Sequence, residues 1–369
     1  MQSGERIETV IVGGGQAGLA VGYELKKAGR RFVIVDAHAR VGDAWRTRWD
    51  SLRAFTPAII SGLHGMPMPG PRWAFPTKDD LADYFEAYAA RFELPVRTGV
   101  TVTRVSRDDQ RFIVDTSGGR IEADNVVIAS GHEHTPNIPS FAQDIDPAIL
   151  QIHSKDYRRP TQLRPGPALV VGAGNSGAEI ALEISRTHPT FLSGRYRRGP
   201  VGPSRHPLLT LAIMPFVFHV FTIDTPIGRK MQPKLVNSSV PVERVRKREL
   251  VAAGVELVSR TIGVRDGSPV LDDGRALDVA NVIWCTGYRT DLSWIDLPVV
   301  GEDGEPMQRR GVVQSIPGLY FVGRRFQYSF VSGLLSGVAR DGAYIARQVA
   351  ARAAAPQRAA SADPVTRSA

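Results

Sequence analysis

Short apolar runs followed by glycines and then by helix-like spacing recur in the chain. The apolar residues 10–12 precede a glycine cluster at 13–18, and residues 19–25 then place apolar side chains at helical intervals. The same order returns with an apolar run at 169–171 and glycines at 172–177. Each set predicts a buried strand, a tight turn and a helix, and both glycine clusters fit Gly-x-Gly-x-x-Gly.

Each glycine cluster has a second strand-like partner downstream. Residues 125–131 resemble residues 281–287, and Gly131 follows Gly13 by 118 residues whereas Gly287 follows Gly172 by 115. Two matched pairs at nearly one offset predict an α/β fold with two Rossmann-like dinucleotide-binding domains.

The end of the chain returns to the first domain. Residues 318–323 are typical of a buried strand and residues 334–349 of a helix, so the simplest architecture inserts the second domain into the first. We expect the chain to leave the first domain near residue 132 and to return near residue 290.

The expected domain limits follow from this arrangement. The first domain takes residues 1–145 and 290–350, and the second takes residues 146–289. Several prolines between residues 132 and 167 indicate linker and crossover segments. The Ala-, Ser- and Pro-rich residues 351–369 predict a disordered tail.

Composition narrows the class of protein. Of 369 residues, 43% are hydrophobic and 22% charged, the mixture of a globular protein. The single cysteine, Cys285, excludes an intramolecular disulfide, a Cys-x-x-Cys redox pair and a cysteine-based metal site. A strand pattern begins by about Thr9, and no apolar run is long enough for a membrane span, so we expect a cytoplasmic protein and no metal site.

The charge is strongly basic, with 46 Lys and Arg against 37 Asp and Glu, a net +9. Such a balance suits nucleic acid, a membrane surface or an anionic ligand. The mixed charges of residues 243–249 predict a solvated helix face. The other basic cluster, Arg195, Arg197, Arg198 and Arg205, follows the second glycine motif and suits an anionic ligand there. We therefore expect no nucleic-acid partner.

The first glycine motif is suited to a dinucleotide. Gly13 permits a tight turn, Gly15 lets a pyrophosphate approach the unpaired N–H groups of a helix start, and Gly18 lets helix and strand pack. The next strand-like run, residues 31–35, ends at Asp36. A carboxylate at this spacing binds the hydroxyls of an adenosine ribose.

The second motif lacks this acid. The run at 189–193 is followed by Arg195 and Arg197. Guanidinium groups bind a ribose 2′-phosphate, which a carboxylate would repel. The second site therefore favours NADPH over NADH, with Arg195 as the first 2′-phosphate ligand and Arg197 as the second; a solvated basic turn is the alternative.

Two dinucleotides in one chain indicate an electron donor and an electron acceptor. A bound FAD reduced by NADPH is the simplest combination.

These residues resemble those of a known family. The chain is similar to the flavin-containing monooxygenases, in particular the short bacterial members and the plant indole-pyruvate monooxygenases, over about residues 8–350. Besides the two glycine motifs, the resemblance rests on residues 42–46, 50–52 with 56–57, 73–77, 153–158 and 285–288.

The resemblance implies an activity. By this resemblance, NADPH would reduce FAD, oxygen would add to the reduced flavin, and the resulting C4a-hydroperoxyflavin would insert one oxygen atom into a small lipophilic or heteroatom-bearing substrate. Little acid–base machinery is required, and the sequence offers no catalytic acid or base. The enzyme's partners would be its small-molecule substrate and molecular oxygen.

The resemblance and the motifs together predict three sets of site residues. The FAD set is Gly13, Gly15, Gln16, Ala17, Gly18, Asp36, Trp45, Arg46, Thr56, Val100, Ser130, Gly131, Gly323, Ser332 and Leu334. The NADPH set is Gly172, Gly174, Asn175, Ser176, Gly177, Ser193, Arg195 and Arg197. The hinge between the domains is His153, Tyr157 and Arg158.

Two departures from the family keep alternatives open. Pro147 and Ile149 replace the Phe and Gly of the family fingerprint, and no counterpart of the flavin-side asparagine of animal members is found. The alternatives are an NADPH-dependent flavin reductase or oxidase without oxygen insertion and a non-enzymatic flavin-bound interaction protein.

The apolar residues 208–223 predict a lid or substrate channel, with peripheral membrane contact as the alternative.

Overall fold

The structure is a computed structural model that describes residues 5–109, 111–131, 135–197, 215–236, 242–302 and 304–354. The strands are β1 (Glu5–Val12), β2 (Phe32–Val35), β3 (Val96–Arg97), β4 (Val102–Asp108), β5 (Arg111–Thr116), β6 (Gly119–Ile128), β7 (Thr135–Pro136), β8 (Leu150–His153), β9 (Ala168–Val171), β10 (Thr190–Ser193), β11 (Val255–Val258), β12 (Thr261–Arg265), β13 (Ser268–Leu271), β14 (Asn281–Trp284), β15 (Tyr288–Arg289) and β16 (Leu319–Phe321).

The α-helices are α1 (Gln16–Lys27), α2 (Asp43–Arg46), α3 (Lys78–Arg91), α4 (Asn175–Ile184), α5 (residues 215–220), α6 (Pro226–Val236), α7 (Lys247–Ala252) and α8 (Leu335–Ala354). Short 3-10 turns cover Ala58–Ile60, Ser140–Asp144 and Pro160–Gln162. Thr77 and Asp80 cap α3 reciprocally, as their spacing predicts.

The first sheet has the strand order β3-β2-β1-β6-β5-β4, and β16 also pairs with β6. The long strand β6 makes this possible, because its first half pairs antiparallel with β5 and its last residues pair parallel with β16. Strands β1, β2, β6 and β16 run parallel, so their carboxyl ends meet at one edge of the sheet. Ligands of open α/β sheets bind at such an edge.

The second sheet is wholly parallel, with the order β11-β10-β9-β14-β8. All its strands lie between β6 and β16 in the chain, which confirms that the second domain is inserted into the first. The two crossing segments pair with each other through β7 and β15. Strand β8 lies within residues 132–167, which the sequence predicted to be linker and crossover. The strand has only four residues, and two of them, Gln151 and His153, are polar. Such a short pattern does not indicate a strand.

Packing joins the ends of the chain and the two domains. Helix α8 lies on α1, with Gly342 against the backbone of Ala20. Trp49 and Leu52 of the first domain are buried in the core of the second.

Helix α8 continues to Ala354, so the prediction that the tail begins at residue 351 is wrong for residues 351–354. Residues 355–369 lie outside the described part. Among the described helices, none has both the length and the apolar character needed to cross a bilayer.

Candidate functional site

The first glycine turn is fixed by steric necessity. Gly13 has φ +108°, and a Cβ there would lie 2.6 Å from the carbonyl oxygen of Ala129 at the end of β6. A Cβ on Gly18 would overlap the carbonyl oxygen of Gly13. Both positions therefore require glycine so that β1, α1 and β6 can meet.

The second turn repeats this geometry. Gly172 has φ +107°, and a Cβ there would overlap the carbonyl oxygen of Cys285, which follows β14. A Cβ on Gly177 would overlap the carbonyl oxygen of Gly172. The same steric solution at both sites agrees with two copies of one domain plan.

The middle glycine of each motif, Gly15 or Gly174, is surrounded by open space. No heavy atom lies within 4 Å of a Cβ built on Gly15 or on Gly174. These glycines are the N-caps of α1 and α4, and neither helix start is capped by a side-chain hydrogen bond. Each site thus combines open space with the N–H groups and positive dipole end of a helix, which fits a pyrophosphate.

Asp36 lies beside the first turn. Its Oδ2 accepts from the Gly14 N–H at 2.5 Å, and its Oδ1 accepts from the backbone N–H and the Nδ1 of His38, both at 2.8 Å. Burial raises the pKa of Asp36, but the hydrogen bonds from His38 and Gly14 outweigh it and hold the pKa below its ordinary value. The carboxylate is therefore ionised, as a ribose ligand requires.

His38 was missed by the sequence analysis. Its hydrogen bond to Asp36 raises the pKa of the imidazole despite partial burial. The spacing of two residues from the acid was the available signal, but it does not say whether the ring turns back to the carboxylate.

Other residues of the FAD set gather around the start of α1. The Gln16 side-chain amide donates to the carbonyl of Gly333 at 3.4 Å, and its buried Oε1 has no hydrogen-bond partner among the described residues. Gly323 has φ +81°, and a Cβ there would lie 2.9 Å from the Ala17 methyl. Gly131 also has a positive φ, directly after Ser130 at the end of β6. The structure thus brings segments 16–17, 323 and 333 together, and the Ser130 nitrogen would lie 3.0 Å from a Cβ on Gly13 in the adjoining turn.

The turn before α8 is organised by Ser332. Its hydroxyl accepts from the N–H groups of Tyr328 and Ser329, at 3.0 and 2.9 Å, and so does not cap the helix. The helix begins at Leu335, and the carbonyl of Leu334 accepts the first helical bond from Val338.

The side chain of Arg46, a predicted FAD contact, already has partners within the protein. The Arg46 guanidinium bonds the Val41 carbonyl at 2.7 Å and forms ion pairs with Asp43, Asp83 and Glu86. Its side chain therefore braces the loop against α3.

Thr56, Val100 and Trp45, three other predicted FAD contacts, also contact other parts of the protein. Thr56 shares a buried 2.9 Å hydrogen bond with Ser61, and Val100 contacts the site through its N–H, which donates to the Asp36 carbonyl at 2.9 Å. Trp45 is partly buried against the cores of both domains. These side chains shape the surroundings of the site.

The second site presents exposed cations. Arg195 and Arg197 are exposed and follow β10 through Gly194, which has φ +124°. The Ser193 hydroxyl is buried and bonds the Ser259 carbonyl and the Thr261 hydroxyl, so it fastens β10 to the segment before β12. Ser176, in the first turn of α4, is partly exposed. Arg198 and Arg205 lie outside the described residues.

The hinge histidine is held as a neutral ring. His153 Nε2 donates to the Gly287 carbonyl at 3.1 Å, and its Nδ1 accepts from the Lys155 N–H at 3.1 Å. Burial lowers the pKa of His153. The Tyr288 ring packs edge-on at 5.0 Å, and its hydroxyl accepts from Arg48 of the first domain at 3.0 Å.

Tyr157 and Arg158, the other two residues predicted for the hinge, also have hydrogen-bond partners within the protein. The Tyr157 hydroxyl donates to Glu183 at 2.8 Å, and burial raises the pKa of this phenol. The Arg158 carbonyl accepts from the Asp50 N–H at 2.8 Å, across the two domains.

A cavity of about 660 Å³ is lined mainly by residues between Ala58 and Arg72, which follow Thr56 and Pro57 in the chain. Its lining is largely apolar and includes Ala58, Leu63, Met66, Met68 and Phe218. Phe218 belongs to the apolar stretch 208–223, of which residues 208–214 lie outside the described part. Among the residues that the structure describes, no cluster of His, Cys, Asp and Glu could hold a metal ion.

Comparison with known proteins agrees with this geometry. The pyridine nucleotide-disulphide oxidoreductase family profile matches residues 10–191. An oxidoreductase of Geobacillus kaustophilus described as CzcO-like is 37% identical over 93% of this chain and 98% of its own. CzcO of Bacillus subtilis is 34% identical over 93% and 99%.

More distant similarities point to one reaction type. A probable indole-3-pyruvate monooxygenase of Arabidopsis thaliana, YUCCA7, is 27% identical over 92% of this chain and 87% of its own. The structure of a flavin-containing monooxygenase from Stenotrophomonas maltophilia superposes with a TM-score of 0.75 at 28% identity, covering 95% of this chain and all of that one. The chain therefore belongs to the flavin-containing monooxygenase family.

Proposed function

We propose that the protein is an FAD-dependent, NADPH-consuming monooxygenase that transfers one oxygen atom to a small lipophilic or heteroatom-bearing substrate. One observation carries the proposal: the same open glycine cradle occurs twice, at Gly15 and Gly174. An ionised aspartate stands beside the first cradle and exposed arginines follow the strand beside the second.

FAD belongs to the first cradle. Its pyrophosphate would be held at the N-terminus of α1 by the N–H groups after Gly15, and its adenosine ribose by Asp36. Gln16, Ala17, Gly323 and the turn before α8 would line the remainder of the cofactor. When bound, FAD supplies the capacity to accept a hydride and to pass the electrons on to oxygen.

NADPH belongs to the second cradle. The N-terminus of α4 after Gly174 would bind its pyrophosphate, and Arg195 and Arg197 its 2′-phosphate. A planar guanidinium suits a phosphate because it offers two parallel N–H donors.

The remaining task of the chain is to orient the two cofactors and to exclude water. Trp49 and Leu52, buried in the core of the second domain, fix the first-domain loop that carries Trp45. The neutral His153 orients the hinge through Gly287 and has no free nitrogen for proton transfer. The largely apolar cavity lined by Ala58, Leu63 and Met66 suits a lipophilic substrate, and catalysis by positioning needs no further acid or base.

The experiment is a single-turnover reaction. The purified flavoprotein is reduced with NADPH without oxygen and then mixed with isotopically labelled oxygen and a panel of thioethers, amines and ketones. A labelled oxygen atom in a product supports the monooxygenase. Peroxide release in proportion to NADPH consumption with every substrate would instead favour the flavin reductase or oxidase that the altered residues Pro147 and Ile149 motivate.

A further inference from the structure

A short segment joins the second nucleotide site to the first domain. We refer to residues 242–245, just before α7, as the strap. The Val242 N–H donates to the carbonyl of Arg197 at 2.8 Å, and the Glu243 N–H donates to the side chain of Asn175 at 3.0 Å. The strap is therefore bonded to the basic turn after β10 and to the first turn of α4, two parts of the proposed NADPH site.

The Arg244 side chain extends from the strap to both domains. Its Nη1 donates to Oε1 of Glu179 at 3.0 Å and to the backbone carbonyl of Arg53 at 3.4 Å. Its guanidinium carbon lies 5.7 Å from the centre of the Phe75 ring. Glu179 is on α4, one turn after Asn175, whereas Arg53 and Phe75 belong to the first domain.

The bond to Glu179 is partly shielded from solvent, whereas the longer bond to the Arg53 carbonyl is exposed. The side chains of Arg244 and Glu179 are 24% and 12% exposed. An ion pair that does cross between the domains, Arg159 with Asp50, is 62% and 47% exposed. Exposed ion pairs contribute little, whereas the partly buried bond to Glu179 fixes the Arg244 guanidinium so that it also meets the Arg53 carbonyl and the Phe75 ring.

The first-domain side of the contact is itself well anchored. The Ala54 N–H donates to the Pro76 carbonyl at 2.8 Å, and the Arg53 side chain donates to the Phe75 carbonyl at 3.1 Å. Arg244 thus binds a segment that continues through Thr56 and Pro57 to Ala58, which lines the apolar cavity.

We infer that Arg244 is a positioning residue: by bonding Glu179 and the Arg53 carbonyl at once, it holds the NADPH domain against the flavin domain in the geometry for hydride transfer. The inference rests on the proposed function. Since the strap also bonds Arg197 and Asn175, nucleotide binding and domain contact are linked through three consecutive residues, Val242 to Arg244. Arg244 touches neither reacting ring in this assignment; it acts through the relative position of the domains.

The test uses Arg244→Met and Arg244→Lys in the FAD-loaded protein. Anaerobic stopped-flow reduction by NADPH separates the dissociation constant from the limiting rate of hydride transfer. We expect the limiting rate to fall about tenfold or more in Arg244→Met, with the dissociation constant changed by less than about threefold. Arg244→Lys should be intermediate, because it keeps the charge and loses the planar donor geometry.

The matched control is Arg246→Met, two residues further along the chain. Arg246 pairs with Glu249 within the second domain, at 3.4 Å, as part of the N-terminal cap of α7. This variant should keep the wild-type limiting rate. Reduction by dithionite, which needs no domain contact, should be the same in all variants. An unchanged limiting rate in Arg244→Met, or an equal fall in Arg246→Met, would overturn the inference.

A second readout does not depend on turnover. Amide hydrogen exchange of residues 50–60 and 72–78, measured in the FAD-loaded protein without NADPH, should be faster in both Arg244 variants and unchanged in Arg246→Met. Wild-type protein that NADPH does not reduce would count against the proposed function. In that case the exchange comparison still decides whether Arg244 holds the domains together, and unaltered exchange in Arg244→Met refutes it.

Discussion

The backbone N–H of Gly14 donates a 2.5 Å hydrogen bond to the carboxylate of Asp36, although 22 residues separate them in the chain. The bond fixes the end of β2 to the turn before α1, so that the carboxylate and the open space at Gly15 lie side by side. A nucleotide whose pyrophosphate occupies the helix start would then meet the carboxylate with its ribose.

Asp36→Ala should lose much of its FAD. Hydrogen bonds to a charged group contribute about 1.5–3 kcal/mol, so we expect FAD to bind about ten- to a hundredfold more weakly. The flavin content after extensive dialysis and the dissociation constant from flavin fluorescence measure this. Asp124→Ala is the control, because Asp124 is a partly exposed acid within β6 that pairs with Arg6 and Arg111. Equal flavin retention in both variants would rule out the ribose assignment.

Glycine substitutions should separate folding from cofactor binding. Gly15 has φ −78° and free space around its Cβ, so Gly15→Ala should fold with little change in thermal stability but fail to hold FAD. Gly18→Ala should instead lower the melting temperature strongly or prevent folding, because its Cβ overlaps the Gly13 carbonyl. A Gly15→Ala protein that remains yellow would contradict the first expectation.

The second cradle allows the same experiment with the other nucleotide. Gly174→Ala should keep FAD and its visible spectrum, yet lose NADPH binding by calorimetric titration, because the added methyl occupies the open space at the start of α4. Gly263→Ala, whose Cβ is equally free but lies on β12, is the control and should bind NADPH normally. Loss of FAD together with NADPH would argue against two independent sites.

Arg195→Ala should change the preference between nucleotides. Removing a charge-assisted contact to the 2′-phosphate should weaken NADPH about ten- to a hundredfold and leave NADH nearly unaltered. The ratio of the two dissociation constants is the quantity to measure, with Arg197→Ala alongside. Equal losses for both nucleotides would refute the assignment of Arg195 to the phosphate.

Glu179 gives a prediction for stability against pH. Burial raises the pKa of this carboxyl to about 7, although Arg244 opposes the shift, from an ordinary value of 4.5. The folded chain therefore keeps a proton that the unfolded chain has lost between about pH 4.5 and 7. The free energy of unfolding should fall as pH rises through this window and then level off.

Glu179→Gln removes that contribution because glutamine does not titrate. Urea unfolding of wild type and variant at about pH 5 and about pH 7.5 measures it. The stability of the wild type relative to Glu179→Gln should drop by on the order of 1–3 kcal/mol between the two pH values. A constant difference would contradict the raised pKa.

The sequence predicted the parts of the fold that local rules determine. The glycine spacing, the apolar runs and the acid after β2 predicted two Rossmann-like domains, because each feature lies within one strand–turn–helix unit. The insertion of one domain was predicted from the strand-like residues 318–323 and the helix-like residues 334–349 near the end of the chain. Strand β8 was missed, since four residues with alternating polarity leave too weak a pattern. The pairing of β7 with β15 depends on residues more than 150 positions apart and has no local signal.

Side-chain direction was the least predictable feature of the site. Arg46 and Ser193 occupy predicted positions, yet their polar groups bind Glu86 and Thr261 within the protein. His38 turns back to Asp36, and Arg244, which the sequence placed on a solvated face, reaches between the domains. Such choices depend on which partner tertiary packing brings near.

Anaerobic titration of the purified protein with NADPH, followed by its visible spectrum, tests most directly whether one cradle holds a flavin and its copy the nucleotide that reduces it. The wild-type protein should be yellow as isolated and lose its flavin absorbance as NADPH is added, whereas Gly174→Ala should be equally yellow but respond only to dithionite. A protein that takes up no FAD, or one whose Gly174→Ala variant is bleached by NADPH as readily as the wild type, would contradict the paired sites.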